Sequence, residues 1–182
     1  MLLASVLARH VPSDDQEAAD LARIRAFVAC QPDPFDRRLL EAHLTGSALI
    51  LSAEGERVLL LHHRKLECWL QPGGHASRGE TTGESVALRE AREETGVSGL
   101  VLHPTAPRPF DIDIHQIPPL SAEPAHEHLD LRYLVTAPRE ASLARSKRES
   151  NDVRWFGCDE LAALGLDSGL RRALAKARAY VS

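Results

Sequence analysis

The chain has 182 residues, of which 43% are hydrophobic and 26% are charged, and its formal net charge at pH 7 is −4. This length suits one globular domain with a substantial core, and the ordinary composition excludes a disordered or fibrous chain. A weakly acidic protein has no overall basic field that could hold a long polyanion, so extended nucleic acid is not an expected partner.

Cysteine content and hydropathy bear on the cellular compartment. Cys30, Cys68 and Cys158 have no CxxC spacing, which is typical of free thiols in a reducing compartment. The first ten residues lack the basic start and the cleavage site of a secretory signal, and no segment reaches the roughly 20 apolar residues of a membrane span. We therefore expect a cytoplasmic protein with no membrane partner.

The N-terminal segment is predicted to be helical. Ser13 and Gln16 have the spacing of a capping box, and an apolar pattern with helical period follows them up to about Cys30. Prolines then end the helix, and a second short helical piece is predicted around Arg37 to Ala42.

The remaining chain is predicted to contain both strands and helices. Predicted strands occupy residues 44–51, 58–62, 100–103, 110–117, 126–136 and 153–157, and predicted helices occupy residues 80–97, 159–164 and 169–181. This order indicates an α+β fold with a mixed β-sheet between helices. We divide it into an N-terminal helical extension at residues 1–42 and a main domain at residues 43–182, forming one compact domain overall.

The most informative segment is a glycine-rich loop that leads into an acidic helix, at residues 73–97. Thr81 and Glu84 have the spacing of a second capping box, and Gly96 suits the left-handed residue that ends a helix. At 100° per residue, three carboxylates fall on one face of this helix, beside its apolar stripe: Glu90, Glu93 and Glu94.

These three carboxylates repel one another in the absence of a cation. Like charges three or four residues apart cost about 0.2–0.5 kcal/mol per pair, and acids in a last turn also oppose the helix dipole. A bound Mg²⁺ or Mn²⁺ reverses the penalty, because hard cations prefer carboxylate oxygens and retain waters that can attack phosphorus. The pattern favours a divalent-metal site over its alternative, a solvated acidic face.

This segment resembles the signature of the Nudix hydrolase family, G-x5-E-x7-R-E-U-x-E-E-x-G-U, in which U is a bulky aliphatic residue. The match runs from Gly74 through Glu80 and Arg89-Glu90 to Glu93-Glu94 and Gly96-Val97. The chain departs from the signature in two ways. Eight residues rather than seven separate Glu80 from Arg89, and the small Ala91 occupies the first U position.

The resemblance implies an α/β/α sandwich that hydrolyses nucleoside diphosphates linked to another moiety, with Mg²⁺ or Mn²⁺ as cofactor. It implies that the metal is held at Gly74, Glu90, Glu93 and Glu94. It further implies catalytic roles for Glu93 and Glu94, with Glu80 and Arg89 as a pair that braces the loop. An acid from a later loop often adds a ligand or general base in this family, and Glu149 is the candidate.

Two predicted strands each have one strongly polar face. Polar and apolar residues alternate in both, and the polar faces carry Asp111, Asp113, His115, His126, His128 and Asp130. Together with His75 of the glycine loop, they are interpreted as substrate-binding residues in a polar cavity wall, with a solvated face as the alternative. Neutral imidazoles could also bind a further metal, and protonated ones could contact phosphate.

The predicted function is metal-dependent hydrolysis of a pyrophosphate linkage in a small nucleotide derivative. The alternatives are a ligand sensor that keeps the fold without the activity, an RNA-end pyrophosphohydrolase and, more remotely, an isomerase of the same superfamily. The expected partner is a small nucleotide-type molecule, and a homodimer is left open.

Overall fold

The computed structural model describes residues 3–119, 124–144, 146 and 150–181. No helix in these residues is long and apolar enough to cross a bilayer. The helices are α1 (Leu3–Arg9), α2 (Asp15–Cys30), α3 (Gly83–Thr95), α4 (Cys158–Ala163), α5 (Ser168–Ala177) and a 3₁₀ turn (Arg178–Tyr180).

One mixed sheet contains all the described strands: β1 (Ala42–Leu51), β2 (Arg57–His63), β3 (Trp69–Leu70), β4 (Gly73–His75), β5 (Val101–Leu102), β6 (Asp111–Ile117), β7 (His126–Thr136) and β8 (Ser150–Gly157). The central strand β1 runs parallel to β7 and antiparallel to β2 and β4. Strand β7 also pairs with β5 and β6, and β2 pairs with β3 and β8.

Each face of the sheet buries its own apolar cluster. Because successive strand residues point to opposite sides, Ala48 and Ile50 of β1 pack with α2 and α3, whereas Leu49 and Leu51 pack with α5. The helices therefore cover both faces, which confirms the predicted sandwich of a mixed sheet between helices.

Two predictions for the N-terminal segment are wrong. The residue that caps α2 is Asp14, whose carboxylate accepts the Glu17 N–H at 2.7 Å, whereas Ser13 donates to the Glu17 carboxylate. The helical piece predicted at residues 37–42 is absent from the described structure, where residues 37 and 38 form a turn, residues 40 and 41 form a bend, and β1 begins at Ala42. A helix does not begin at Arg37 because the Arg38 N–H donates to the Asp36 carboxylate, which holds this segment in a local turn.

Helix α2 covers the outer edge of β6 with side chains. The carboxylate of Glu17 accepts the Ile112 N–H at 3.1 Å, and that of Asp20 accepts the Ile114 N–H at 3.3 Å. The buried Glu17 carboxylate also receives the ammonium group of Lys176, from α5, at 2.6 Å. Side-chain oxygens of a helix thus occupy positions that a neighbouring strand would fill.

The ends of α3 are set by local hydrogen bonds. The cap is Thr82, whose hydroxyl accepts the Ser85 N–H at 3.2 Å, so the capping box predicted from Thr81 is wrong by one residue. Spacing alone does not discriminate between two adjacent threonines. The other end is as predicted, with Gly96 in the left-handed region at φ 70°.

Helix α3 approaches β1 closely at one glycine. A Cβ atom on Gly46 would lie 2.4 Å from the carbonyl oxygen of Gly83, the first residue of the helix. Only a residue without a side chain permits this contact. The approach seats the start of the acidic helix directly on the central strand.

Candidate active site

An ion pair ties the loop between β4 and α3 to the helix. Arg89 donates from Nε and Nη2 to Oε2 of Glu80, at 3.1 and 2.9 Å, and from Nη2 to the His75 carbonyl at 2.7 Å. The Ser77 N–H donates to the same Glu80 oxygen at 2.8 Å. The extra residue between Glu80 and Arg89 is therefore absorbed without loss of their contact.

Both members of this pair are held in the charged state. Burial alone raises the pKa of Glu80, but hydrogen bonds from Arg89 and Ser77 outweigh it and lower the pKa below its usual value. Burial likewise lowers the pKa of Arg89, and its contacts with Glu80 and Glu90 more than reverse that effect. The pair is thus a charged brace at the rim of the site.

Two of the three helix carboxylates face a cavity of about 420 Å³. Glu94 is buried and accepts the Gly73 N–H at 2.9 Å. Glu90 accepts Arg89 Nη1 at 2.9 Å and lies against Gly74, where a Cβ atom would be only 2.8 Å from Glu90 Oε1. Glu90 and Glu94 lie one helical turn apart along α3, and the structure brings both of them close to the glycine-rich segment that contains Gly74.

Glu93 is placed differently. Its side chain is 56% exposed and accepts Arg89 Nη1 at 3.0 Å, and it is not among the described residues that line the cavity. Glu149, the acid expected from a later loop, lies outside the described residues.

The residues present fit a hard divalent cation. Mg²⁺ and Mn²⁺ take oxygen ligands and usually keep several waters, so they need a few carboxylates and open space rather than a closed cage. Glu90 and Glu94 supply the carboxylates, and glycine at position 74 leaves room that any side chain would fill. The cavity volume is within the range of small-ligand sites.

Strand register builds the polar wall of this cavity. Strands β6 and β7 are antiparallel, with Asp113 opposite Asp130 and His115 opposite His128, and all four residues line the cavity together with His75. The register therefore brings the polar faces of these two strands together on one side of the sheet. His115 donates from Nδ1 to the Asp113 carboxylate at 3.0 Å.

Asp130 is fixed from β1. Its two carboxylate oxygens accept the hydroxyls of Thr45 at 2.9 Å and Ser47 at 2.5 Å, and the residue is buried. Burial alone raises the pKa of the neighbouring Asp113, but contacts with His115 and the Arg132 guanidinium hold it well below its usual range. Asp113 therefore stays ionised in an ion pair with Arg132, which also lines the cavity.

Asp111 belongs to a buried ion-pair network instead of the cavity. Its carboxylate accepts Arg132 Nη1 at 3.1 Å, Arg172 Nε at 3.0 Å and Lys176 Nζ at 3.1 Å. The residue is fully buried and is not among the described cavity-lining residues, so the interpretation of Asp111 as substrate-binding has no support in this geometry.

Sequence reasoning did not single out the two cations from α5. Arg172 and Lys176 are four residues apart on an amphipathic helix. This spacing could have predicted that both side chains lie on the same face of the helix.

Sequence reasoning also missed His43, which completes a cluster of four imidazoles with His75, His126 and His128. His126 is not among the described residues that line the cavity, and instead it lines a smaller void of about 40 Å³ together with His43 and His75. Burial, together with the neighbouring imidazoles, lowers the pKa of His128 to about 2, so this ring is neutral at physiological pH. The available signal was the alternation of His43, Thr45 and Ser47 along β1.

Comparison with known proteins bears on the family. The family model of the NUDIX domain matches residues 42–177. Comparison with curated proteins gave no match.

Solved structures share the fold over most of their length. An Ap4A hydrolase from C. elegans, solved as a binary complex, has a TM-score of 0.58 and 18% identity, covering 75% of this chain and 96% of that chain. A NUDIX family hydrolase from Clostridium perfringens has a TM-score of 0.59 and 22% identity, covering 76% and 97%. A MutT NUDIX hydrolase from Burkholderia pseudomallei has a TM-score of 0.54 and 22% identity, covering 75% and 98%.

At these identities the solved structures establish a shared fold, whereas the family match spans most of the chain and includes the loop and helix that carry the carboxylates. The chain therefore belongs to the Nudix hydrolase family, the enzymes that hydrolyse pyrophosphate linkages.

Proposed function

We propose that this protein is a divalent-metal-dependent hydrolase that cleaves the pyrophosphate linkage of a small nucleoside diphosphate derivative. One observation carries the proposal: Glu90 and Glu94 face a cavity of about 420 Å³ beside the backbone of Gly73 and Gly74. Two converging carboxylates with open space in front of them suit a hydrated hard cation.

Glu90, Glu94 and the backbone at Gly74 would hold Mg²⁺ or Mn²⁺, with Glu93 joining from the exposed side of the helix. When bound, such an ion neutralises charge on the diphosphate and makes a bound water more acidic. The proton of the attacking water needs a carboxylate acceptor, and we propose Glu149 for that role. Arg89 and Glu80 hold the loop in position and do not contact the reacting atoms.

The cavity has two parts that suit two parts of a nucleotide. Its polar wall, with Asp113, His115, His128, Asp130 and His75, offers donors and acceptors for ribose hydroxyls and phosphate oxygens. Its lining also includes the apolar residues Leu61, Leu66 and Leu70, which can contact a base or the second moiety.

The activity is tested with a substrate panel. Purified protein with Mg²⁺ or Mn²⁺ is incubated in H₂¹⁸O with nucleoside triphosphates, nucleotide sugars, ADP-ribose and dinucleoside polyphosphates such as Ap4A, a substrate class suggested by the name of the C. elegans neighbour. Mass spectrometry of the products identifies the phosphorus that receives the oxygen. We expect one class to be hydrolysed with ¹⁸O in a phosphate product.

The control is the double variant Glu90→Gln/Glu94→Gln, matched by Glu84→Gln in the first turn of the same helix. If the wild type hydrolyses a substrate and the double variant does so equally well, these two carboxylates have no part in the mechanism. Tight nucleotide binding without hydrolysis by the wild type would favour the sensor, and cleavage confined to 5′-triphosphorylated RNA would favour the RNA-end enzyme.

A cytoplasmic location and a homodimer stay predictions. The free thiols of Cys30, Cys68 and Cys158 are consistent with a reducing compartment.

A further inference from the structure

Four imidazoles from three strands converge beside the carboxylate site. The register of β1 and β7 places His43 next to His128, and a two-residue step along β7 places His126 on the same face. His75 comes from β4, which pairs with β1 on its other side. One ring nitrogen from each histidine lies within 4.8 Å of those of the other three.

Backbone carbonyls fix the tautomers of two of these rings. His43 Nδ1 is 3.0 Å from the Leu39 carbonyl, and His126 Nδ1 is 2.9 Å from the Pro124 carbonyl. A carbonyl can only accept, so Nδ1 carries the proton in both rings and Nε2 presents a lone pair when the ring is neutral. Metal-binding histidines commonly have this carbonyl contact, which orients the ring and fixes its tautomer.

The contacts within the cluster cannot all be hydrogen bonds between neutral rings. His128 Nε2 lies 3.2 Å from His126 Nε2 and 3.1 Å from His75 Nε2. A proton on His128 Nε2 can be directed at only one of these two nitrogens, and without that proton its contact with His126 joins two lone pairs. A cation at the centre removes the conflict, because every nitrogen can then direct its lone pair inward.

Protonation of the rings would also remove the conflict between lone pairs, but it is unfavourable in this cluster. His43 is only 3% exposed and His126 only 7%, so several positive imidazoles would have to be buried side by side. Burial of like charges in one cluster is strongly unfavourable.

The distances and the donor type identify the class of ion. A tetrahedral zinc ion with nitrogen ligands at 2.0–2.1 Å places those nitrogens roughly 3.3 Å apart. The two short separations, 3.1 and 3.2 Å, are close to this value, and the other pairs of ring nitrogens lie within 4.8 Å of one another. Imidazole suits zinc and neighbouring transition metals, whereas magnesium prefers oxygen.

We propose that His43, His75, His126 and His128 bind one divalent transition-metal ion of the zinc class, at a site separate from the carboxylates of α3. Four protein ligands leave no open position on a tetrahedral ion, which is the arrangement of a structural metal site. The void of about 40 Å³ that adjoins His43, His75 and His126 provides access from the surface.

The ion would stabilise the position of the catalytic loop. His75 follows Gly74, the residue that lies against the Glu90 carboxylate. The carbonyl of His75 accepts a hydrogen bond from Arg89 Nη2. Holding the His75 side chain to β1 and β7 therefore fixes the backbone against which the Glu90 carboxylate rests. The two metal sites use different ligands, so the histidine site does not depend on whether the protein hydrolyses nucleotides.

Cobalt is a spectroscopic probe for this site, because tetrahedral Co²⁺ absorbs visible light far more strongly than octahedral Co²⁺. Full-length protein is treated with a chelator, dialysed and titrated with CoCl₂, and bound metal is quantified by mass spectrometry. With excess Mg²⁺ present to fill the carboxylate site of α3, we expect one equivalent of Co²⁺ with a tetrahedral spectrum, displaced by equimolar Zn²⁺. Only weak, octahedral absorption would overturn the proposal.

Variants assign the ion to its ligands. His126→Gln and His75→Gln should each weaken Co²⁺ binding by at least about 100-fold, since loss of even an indirect partner costs about 10–100-fold. Glu90→Gln/Glu94→Gln should keep the spectrum, as should His103→Gln, the matched loss of one distant histidine. His75 is half-buried, so its variant is the one expected to fold if His126→Gln does not. If folded His75→Gln keeps the tetrahedral Co²⁺ spectrum, the assignment is overturned. It is also overturned if Glu90→Gln/Glu94→Gln loses that spectrum.

Discussion

Arg89 directs two nitrogens of its guanidinium at a single oxygen of Glu80, at 2.9 and 3.1 Å, across the loop that precedes α3. The same side chain reaches the His75 carbonyl and the carboxylates of Glu90 and Glu93. One arginine therefore connects the beginning and end of the glycine-rich loop to the helix that carries the metal-binding candidates.

Arg89→Ala is expected to lower both stability and activity. Removing the guanidinium leaves a partly buried Glu80 without its charged partner, which costs about 1–3 kcal/mol. We expect a lower melting temperature and a fall in kcat/KM, measured by thermal denaturation and steady-state kinetics. Arg92→Ala, an exposed arginine of the same helix, is the control and should resemble the wild type in both. An unchanged Arg89→Ala protein would show that the loop keeps its position without the ion pair.

Glu90→Gln and Glu94→Gln are each expected to lower turnover by at least about 10²-fold, the lower end of what metal positioning or proton transfer contributes. Glu93→Gln should lose less, because Glu93 is largely exposed and lies outside the cavity. Steady-state kinetics at saturating Mg²⁺ or Mn²⁺ checks the order. If Glu93→Gln is the most impaired of the three, the exposed carboxylate is the essential group.

Gly74→Ala should impair activity with little change in fold stability. The new Cβ would meet the Glu90 carboxylate at 2.8 Å, and a flexible side chain can move away from it. The displaced carboxylate should raise the concentration of Mg²⁺ needed for half-maximal rate. That concentration and the melting temperature are measured together, and wild-type metal dependence would count against Glu90 as a ligand.

Gly46→Ala, in contrast to Gly74→Ala, is expected to destabilise the fold. Here the new Cβ would lie 2.4 Å from the backbone carbonyl of Gly83, which cannot move without shifting α3. Overpacking of this kind costs about 1–3 kcal/mol. Urea denaturation should show a lower midpoint than for Gly74→Ala, and equal midpoints would indicate that the helix shifts freely on β1.

Glu17→Gln should destabilise the protein and reduce its sensitivity to acid. Burial alone would raise the pKa of Glu17, but hydrogen bonds from His10, Lys176 and Ser13 hold it well below the ordinary value of 4.5. A lowered carboxylate pKa contributes stability that is complete above about pH 4.5 and is lost as the pH falls toward the native pKa. Removing the buried charge costs about 3 kcal/mol at pH 7.

Urea denaturation at pH 7, 5 and 3 tests this prediction. The difference in unfolding free energy between wild type and Glu17→Gln should be largest at pH 7 and should narrow at pH 3. A difference that is constant with pH would mean that packing, and not the ionised carboxylate, accounts for the effect. His10 and Lys176, the two basic residues that contact the Glu17 carboxylate, are unchanged in the variant.

The acidic helix and the glycine loop could be predicted because their signal is local. Spacing within one helix fixes which side chains share a face, and Glu90 and Glu94 lie together for that reason. The strand from His126 to Thr136 was predicted with the observed bounds, since alternation of polar and apolar residues persists over its length.

The residues that could not be predicted depend on which strands become neighbours. His43 joins His128 only because β1 runs parallel to β7 in one particular register. Asp111 has the same alternating pattern as Asp113, but cations from α5, some 60 residues away, draw it into a buried network. An alternating pattern shows on which face of a strand a residue lies. It does not show which part of that face borders the cavity and which part is covered by a helix.

The carboxylates of Glu17 and Asp20 on the edge of β6 have a consequence for how the protein is handled. The family match begins at residue 42, which invites expression of the matched segment alone. That fragment would leave the N–H groups of Ile112 and Ile114 available to a strand of another molecule, and it would uncover apolar surface now packed against Leu21 and Ile24. Such an edge is a template for intermolecular β-pairing, so the shortened enzyme would self-associate and precipitate.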